Sequence, residues 1–176
     1  MVNPPATGAA VPPRGAAVEE FRAAMRHFPT GVTVLTTTGP AGPHGMTANA
    51  VMSVSLRPPT VLAAVHHDTV THAILDAATS FTVNVLAADQ EDLAVLFARS
   101  GPDEDPFLHV PWRPSELTGN PVLTQSVAVL DCHLDRRVAV ADHTLAIGAV
   151  ATARVHRPDA APLVFARRTF QTVTRP

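Results

Sequence analysis

The sequence predicts a mainly β domain, an antiparallel barrel with a few peripheral helices. Short runs rich in β-branched and apolar residues recur along the chain, and they do not alternate strictly with helical segments. Two long strand-like segments, 127–140 and 144–156, are joined by only three residues. Because such a link is too short for a helical crossover, we expect the two segments to form an antiparallel hairpin.

Length and composition exclude several classes of protein. A chain of 176 residues predicts one domain with an extension. A domain of this size can bury a core that is stable without a disulfide or a structural metal ion. The net charge of −2 excludes the basic surface of a general nucleic-acid binder. The single Cys132 excludes an internal disulfide, and neither a signal peptide nor an apolar run of about 18 residues is present. We therefore expect a soluble cytoplasmic domain without a membrane or nucleic-acid partner.

The chain divides into a tail and a folded domain. Residues 1–17 are rich in Pro and Ala and lack apolar periodicity, so they predict a flexible N-terminal tail. The domain is expected to span 18–176. Apolar residues recur at helical spacing over 18–28, which predicts a short amphipathic helix that ends before Pro29.

The rest of the chain reads mainly as strands. Helices are expected over 69–77 and after Asp89, a suitable N-cap residue. Residues 99–121 contain five Pro and predict an irregular surface excursion, and residues 163–165 and 170–173 add a last strand. The remaining predicted strands are 31–38, 46–56, 60–65 and 81–86.

General catalytic and metal motifs are missing from the sequence. No phosphate-binding glycine loop or hydrolase motif occurs. His66 and His67 are adjacent on a strand end and point to opposite faces, and no second Cys accompanies Cys132, so we predict no metal site. Cys132 is interpreted as a packing residue on an apolar strand. The arginine pairs 136–137 and 167–168 are interpreted as solvated surface.

One strand carries an unusual set of side chains. Over residues 44–59 the polar positions are Thr, Asn and Ser, with Ala between them. A strand buried in a core would carry bulkier residues. Small hydrogen-bonding side chains leave room for a flat ligand and offer donors to its edge, so this strand is a candidate binding surface.

Several segments resemble the flavin reductase-like family, the short-chain reductase components of two-component flavin-dependent monooxygenases. The strand HGMTANAVMSVSLRPP (44–59) is similar to the strand with which that family contacts flavin. Further segments resemble family motifs in the same order along the chain: FPTGVTV (28–34), FTVNVL (81–86), DQ (89–90), DHT (142–144) and PLVF (162–165).

The resemblance implies a fold and an activity. The family fold is an FMN-binding split β-barrel of Greek-key topology, usually homodimeric, with the ligand site at the subunit boundary. Its members reduce free FAD or FMN with NADH or NADPH and release reduced flavin to a partner monooxygenase. The sequence shows no obvious basic patch for a 2′-phosphate, which favours NADH.

The resemblance also assigns roles by position. His143 would flank the nicotinamide as the catalytic residue, with Asp142 holding its turn, and backbone N–H groups near 47–50 would stabilise negative charge on the flavin ring. Thr30 and Gly31 would border that ring. The family's usual aromatic residue near the C-terminus is Phe165 in this chain, which has no phenol group to donate. The other cofactor-binding candidates are Met46, Thr47, Ala48, Asn49 and Ala50 at the ring and ribityl chain, Ser53 and Ser55 beside them, and Asp68, Thr69, Val70 and Thr71 at the flavin phosphates.

Two departures from the family pattern affect these assignments. Ala141 replaces a glycine before Asp142, so a positive φ there would be strained. Asp68 places a carboxylate in the phosphate segment, where phosphate would be held by backbone N–H groups and by the hydroxyls of Thr69 and Thr71. Two other functions stay open: an enzyme with tightly bound flavin that acts on an organic substrate, and a non-catalytic flavin- or haem-binding module.

Overall fold

The computed structural model describes residues 17–99 and 105–173. The predicted tail falls outside these residues, apart from Ala17. The described helices are α1 (Val18–Met25), α2 (Val70–Ala77), α3 (Glu91–Ala98) and a 3-10 helix (Pro106–Leu108). The strands are β1 (Thr30–Gly31), β2 (Thr33–Gly39), β3 (Gly42–Ala48), β4 (Val51–Leu56), β5 (Pro59–His66), β6 (Ser80–Val85), β7 (Trp112–Pro114), β8 (Pro121–Leu123), β9 (Ala128–Val140), β10 (His143–Val155), β11 (Leu163–Ala166) and β12 (Thr169–Thr172).

The predicted mainly β class is confirmed. Seven strands form one antiparallel sheet in the order β3-β2-β6-β9-β10-β5-β4. Neighbouring strands that are distant in sequence, β6 beside β9 and β5 beside β10, give the connections expected of a Greek key. Smaller sheets of β1, β11 and β12 and of β7 and β8 complete the described structure.

The link between β3 and β4 forces this sheet to curl. The two strands lie at opposite edges of the sheet, yet only Asn49 and Ala50 separate them in sequence. Across a flat sheet the edges would be roughly 29 Å apart, whereas the link spans at most about 11 Å. The edges must therefore approach each other at Asn49 and Ala50, which gives a barrel that is split between β3 and β4. The prediction of one strand over 46–56 is wrong, because the chain crosses from one edge to the other at these residues.

Two apolar clusters lie on opposite faces of β2. Leu35 packs inside the barrel with Phe81 and Cys132, whereas Val34 faces a second cluster beneath α3 that contains Phe97. Such alternation is expected of a strand buried on both faces. Burial, reinforced by the neighbouring Asp131 carboxylate, raises the pKa of Cys132 to about 12. The interpretation of Cys132 as a packing residue is confirmed.

Helix boundaries differ from the prediction at α1 and α3. Helix α1 ends at Met25, and the chain continues to Phe28 in tight turns with hydrogen bonds three residues back along the chain. The N-cap of α3 is Gln90 and not Asp89. The Asp89 carboxylate is instead held by Arg157 at 2.7 and 3.0 Å, an ion pair between residues distant in sequence. Helix α2 is confirmed, and Thr69, the first residue of the predicted segment, is its N-cap.

Two surface predictions are wrong in part. In the segment 105–121, Phe107 is buried and stacks edge-on against Phe97 and Trp112, so this part of the excursion belongs to the second cluster. Arg137 is not merely solvated: its guanidinium donates to the carbonyl of Leu75 at 2.7 and 2.9 Å and also to that of Ala78. These bonds satisfy carbonyls at the C-terminal end of α2.

The predicted hairpin of two long strands is confirmed. Strands β9 and β10 have 13 residues each and are joined by Ala141 and Asp142. Ala141 has φ of +50°, the conformation in which the sequence analysis expects strain. No helix in the described part of the chain is long and apolar enough to cross a membrane.

Replacing Ala141 with Gly is expected to stabilise the protein. A left-handed backbone conformation destabilises the folded state by about 1–2 kcal/mol when the residue carries a Cβ. Gly avoids this cost but loses more backbone entropy on folding, which cancels roughly 0.5–1 kcal/mol of the gain. Thermal unfolding of Ala141→Gly should therefore show Tm raised by about 2 °C. An unchanged or lower Tm would show that the turn is not strained.

Replacing Gly148 with Ala is expected to destabilise the barrel. A Cβ at this position would lie 2.5 Å from Cζ of the buried Phe81 and 3.0 Å from Cβ of Cys132. Overpacking of this kind costs about 1–3 kcal/mol. Denaturant unfolding should report this loss. Gly31→Ala is the control, because a Cβ there meets nothing within 4 Å.

Candidate active site

The crossing between β3 and β4 is an exposed part of the predicted binding strand. Asn49 and Ala50 are both exposed, and the Ala50 carbonyl is anchored by the N–H of Ala64 at 2.9 Å. On either side the chain enters an edge strand, which leaves backbone N–H and C=O groups without sheet partners. A flat ligand at the split can therefore meet backbone donors and the Asn49 amide.

The three residues before the crossing direct their side chains into the protein. Met46 packs against the barrel core, and the Thr47 hydroxyl donates to the carbonyl of Ala94 in α3 at 2.6 Å. Ala48 is 7% exposed, and its carbonyl accepts the hydroxyl of Thr33 at 2.7 Å. These three positions offer a ligand their backbone groups only.

Ser53 and Ser55 lie further along β4, away from the crossing. Ser53 is exposed, and the Ser55 hydroxyl accepts the N–H of Arg57 at 3.1 Å. The register shift between them interrupts the pairing with β5. The structure places both serines on β4, after the crossing, so the expectation that they share a strand with Thr47 and Ala48 is wrong. They also do not line the cleft described next.

Thr30, Asn49 and Phe165 come together in one surface cleft of about 520 Å³. Thr30 pairs with Phe165 and Gly31 with Val164 in the short β1–β11 ladder, which brings the predicted ring-bordering residues together. The Thr30 hydroxyl is buried and has no hydrogen-bond partner within the described part of the chain. An unpartnered buried hydroxyl is unusual and is consistent with a ligand that would complete it.

Helix α1 supplies the opposite wall of this cleft. Its apolar residues Phe21 and Met25, followed by Phe28, are 59%, 46% and 61% exposed. Four arginines also line the cleft: Arg22, Arg26, Arg167 and Arg168. The cleft therefore carries a basic patch. Sequence reasoning missed it because the arginines come from opposite ends of the chain.

A second group of predicted residues surrounds the β9–β10 turn. His143 Nδ1 lies 2.7 Å from Asp142 Oδ1, and His66 Nε2 lies 3.5 Å from Asp142 Oδ2. The rings of His66 and His143 meet edge-on at 5.0 Å. The hydrogen bond from His143 lowers the pKa of Asp142, so this carboxylate stays ionised and orients the imidazole. His66 lies beside the same carboxylate, a contact that the sequence pattern does not predict.

The segment predicted to hold phosphate is largely engaged within the protein. The Thr69 hydroxyl donates to the His66 carbonyl at 2.8 Å and accepts the His72 N–H at 3.1 Å, as the N-cap of α2. The buried Thr71 hydroxyl lies 2.8 Å from His44 Nε2. Val70 and the Asp68 carboxylate are exposed. A phosphate at the start of α2 would lie beside the negative charge of Asp68.

Strand β5 connects the surroundings of His143 to the crossing between β3 and β4. Ala50 is hydrogen-bonded to Ala64, and His66 follows two residues later, a rise of about 7 Å along β5. His143 pairs directly with His66 across the β10–β5 ladder. The fold therefore places the predicted nicotinamide residues next to the predicted flavin residues.

Comparison with known proteins shows which domain family this chain resembles. Residues 25–174 match the model of the flavin reductase-like domain. The FMN reductase (NADH) of Agrobacterium fabrum is 38% identical over 163 residues, which cover 93% of this chain and 90% of that protein.

Two solved structures are similar over most of the chain. The NADH:FAD oxidoreductase of Streptomyces globisporus C-1027, in complex with NAD and FAD fragments, is 40% identical with a TM-score of 0.82, and the match covers 89% of this chain and 92% of that one. The styrene monooxygenase flavin reductase of Pseudomonas putida S12 is 30% identical with a TM-score of 0.79, covering 89% and 98%. The chain belongs to the flavin reductase-like domain family.

Proposed function

We propose that this protein is an NADH-dependent flavin reductase that reduces free FAD or FMN and supplies reduced flavin to a partner monooxygenase. The observation that carries the proposal is the exposed crossing at Asn49 and Ala50, next to the Asp142–His143 pair. Relatives named as NADH-dependent reductases of FAD and of FMN support the choice of substrates. A structural neighbour that serves styrene monooxygenase supports the partner. We also propose a cytoplasmic location.

The chain's own residues act by binding and orienting. When both nucleotides are bound, a hydride passes from nicotinamide C4 to flavin N5, and the nucleotides supply that chemistry. Backbone N–H groups at 47–50 would stabilise negative charge on the reduced ring. His143, held by Asp142, would border the nicotinamide and fix its approach to the flavin. The open crossing would allow flavin to enter and leave, as a supplier of free reduced flavin requires.

The experiment mixes the purified protein with NADH and an excess of free FAD or FMN and follows the loss of NADH absorbance. Many turnovers per protein molecule are expected. A yellow protein with tightly bound flavin and no turnover on free flavin would contradict the proposal. That result would favour the alternative functions, an enzyme acting on an organic substrate or a non-catalytic flavin- or haem-binding module.

Two substitutions are expected to separate the two nucleotide sites. His143→Ala should raise KM for NADH about tenfold and leave the Kd for flavin unchanged, because the imidazole borders only the nicotinamide. Asn49→Ala should weaken flavin binding about tenfold, because it removes the exposed amide at the crossing. His109→Ala, at an exposed position outside both groups, is the control. Unchanged NADH kinetics in His143→Ala, or wild-type flavin affinity in Asn49→Ala, would remove that residue from the site.

We further propose that the protein is a homodimer that covers β4. This edge strand exposes Met52, Val54 and Leu56, at 58%, 53% and 82%, a row of large apolar side chains on an unpaired edge.

Sedimentation of the wild-type protein should give a molecular mass twice the 18.5 kDa of one chain. Leu56→Asp should shift the protein toward monomer. Leu108→Asp, at a position 79% exposed in the 3-10 helix, should not. A wild-type protein that sediments as a monomer at micromolar concentration would contradict the dimer.

A further inference from the structure

We propose that Arg167 and Arg168, at the tip of the β11–β12 hairpin, bind the pyrophosphate of a dinucleotide in the cleft beside α1. The ligand class rests on the proposed function, which brings two pyrophosphate-bearing molecules, FAD and NADH, to this face of the protein. The observations that carry the proposal are the backbone conformation of the hairpin tip, the charge gathered in the cleft, and the composition of its walls.

The hairpin tip has a conformation that its residues disfavour. Ala166 pairs with Thr169, so the turn consists of Arg167 and Arg168 alone, with φ of +52° and +66°. Positive φ at both positions is typical of a type I′ turn, which strongly prefers Asn-Gly. Two arginines in this turn store strain, and strain of this kind clusters at functional sites.

The strained tip is fixed against the wall of the cleft. The backbone N–H of Arg167 donates to the carbonyl of Arg26, just after α1, at 2.7 Å. The Thr169 hydroxyl donates to the carbonyl of Ala166 at 3.1 Å. The first bond ties the turn to the residue that follows α1, and the second closes the turn itself. The two arginines of the tip and Arg26 therefore line one cleft.

Three of the four arginines in this cleft have no ion-pair partner among the described residues. Arg22 is paired with Glu19 at 2.9 Å. Within residues 17–99 and 105–173, the guanidinium groups of Arg26, Arg167 and Arg168 make no hydrogen bond or ion pair. Like charges gathered without counter-charges repel one another, and an anion placed among them relieves that repulsion. Guanidinium groups match the geometry of phosphate oxygens.

The other walls match the remaining parts of a nucleotide. Phe21, Met25 and Phe28 offer exposed apolar surface to a ring, and the Thr30 hydroxyl lacks a partner. Asn49 lines the same cleft, so a ring bound at the crossing would have its phosphates within reach of the arginines. The alternative position at the start of α2 presents the Asp68 carboxylate to a phosphate. The distribution of charge therefore favours the cleft.

The test replaces the strained turn with the sequence that it prefers. The double variant Arg167→Asn with Arg168→Gly removes two charges and relieves the turn, so Tm should rise by about 3 °C. In the same protein the Kd for a pyrophosphate ligand should rise about tenfold or more. A merely structural role for the arginines would not combine higher stability with weaker binding. A second variant, Arg167→Gln with Arg168→Gln, keeps long side chains in the same turn. Its affinity for the pyrophosphate ligand should fall, and its Tm should not rise.

Direct titration identifies the ligand. Binding of FAD, followed by flavin fluorescence, and of NAD⁺, followed by calorimetry, is compared with that of riboflavin, which carries no phosphate. Weaker FAD binding with unchanged NAD⁺ binding assigns the cleft to the flavin pyrophosphate, and the reverse assigns it to the nicotinamide nucleotide. Riboflavin affinity should not change. The control double variant Arg99→Ala with Arg136→Ala removes two exposed arginines outside the cleft and should bind all three ligands normally.

Three results would overturn the proposal. The first is unchanged affinity for both FAD and NAD⁺, and the second is an equal loss for riboflavin. The third is a loss for NADP⁺ that far exceeds the loss for NAD⁺, which would show a 2′-phosphate site instead. Failure of the proposed function is distinguishable, because it appears as a wild-type protein that neither turns over free flavin nor binds either dinucleotide.

Discussion

The two-residue link between β3 and β4 is the constraint on which the rest of the structure depends. Because Asn49 and Ala50 connect the two edges of a seven-stranded sheet, the sheet must curl until those edges approach each other. The same link prevents continuous pairing at that point, so the barrel is split there and backbone groups stay exposed beside a small polar side chain. The proposed binding surface is thus a consequence of how the barrel closes.

The proposed site combines a rigid barrel with elements added outside it. The β9–β10 hairpin brings the Asp142–His143 pair to the end of β5, two residues beyond the partner of Ala50. The β11–β12 hairpin and α1 add a cleft that is apolar and basic at once. Both hairpins place non-glycine residues at positive φ next to the proposed site. The chain is weakly acidic overall, so the positive charge in the cleft is a local feature.

Local patterns in the sequence predict much of this fold, and contacts between distant segments account for the errors. The hairpin of long strands, α2 with its Thr69 cap and the buried Cys132 follow from short-range rules. The break within 46–56 does not, because every residue there tolerates an extended strand and only the position of the sheet edges separates β3 from β4. The N-cap of α3 is Gln90 and not the predicted Asp89, because the Asp89 carboxylate forms an ion pair with Arg157, which is distant in sequence. The basic cleft combines two ends of the chain, which no local pattern can show. The resemblance to flavin reductases predicts ring and nicotinamide positions, but it does not show which of their side chains are already engaged within the protein.

Hydrogen exchange with and without saturating oxidised FAD tests the central claim, that the barrel split is the flavin site. We predict slower exchange of backbone N–H groups at 47–50 and at Thr30 and Gly31, because the bound ring would cover the crossing and the β1 strand beside it. Unchanged exchange at these positions, with protection confined to the separate cleft lined by Arg113, Leu117 and Arg154, would contradict the account.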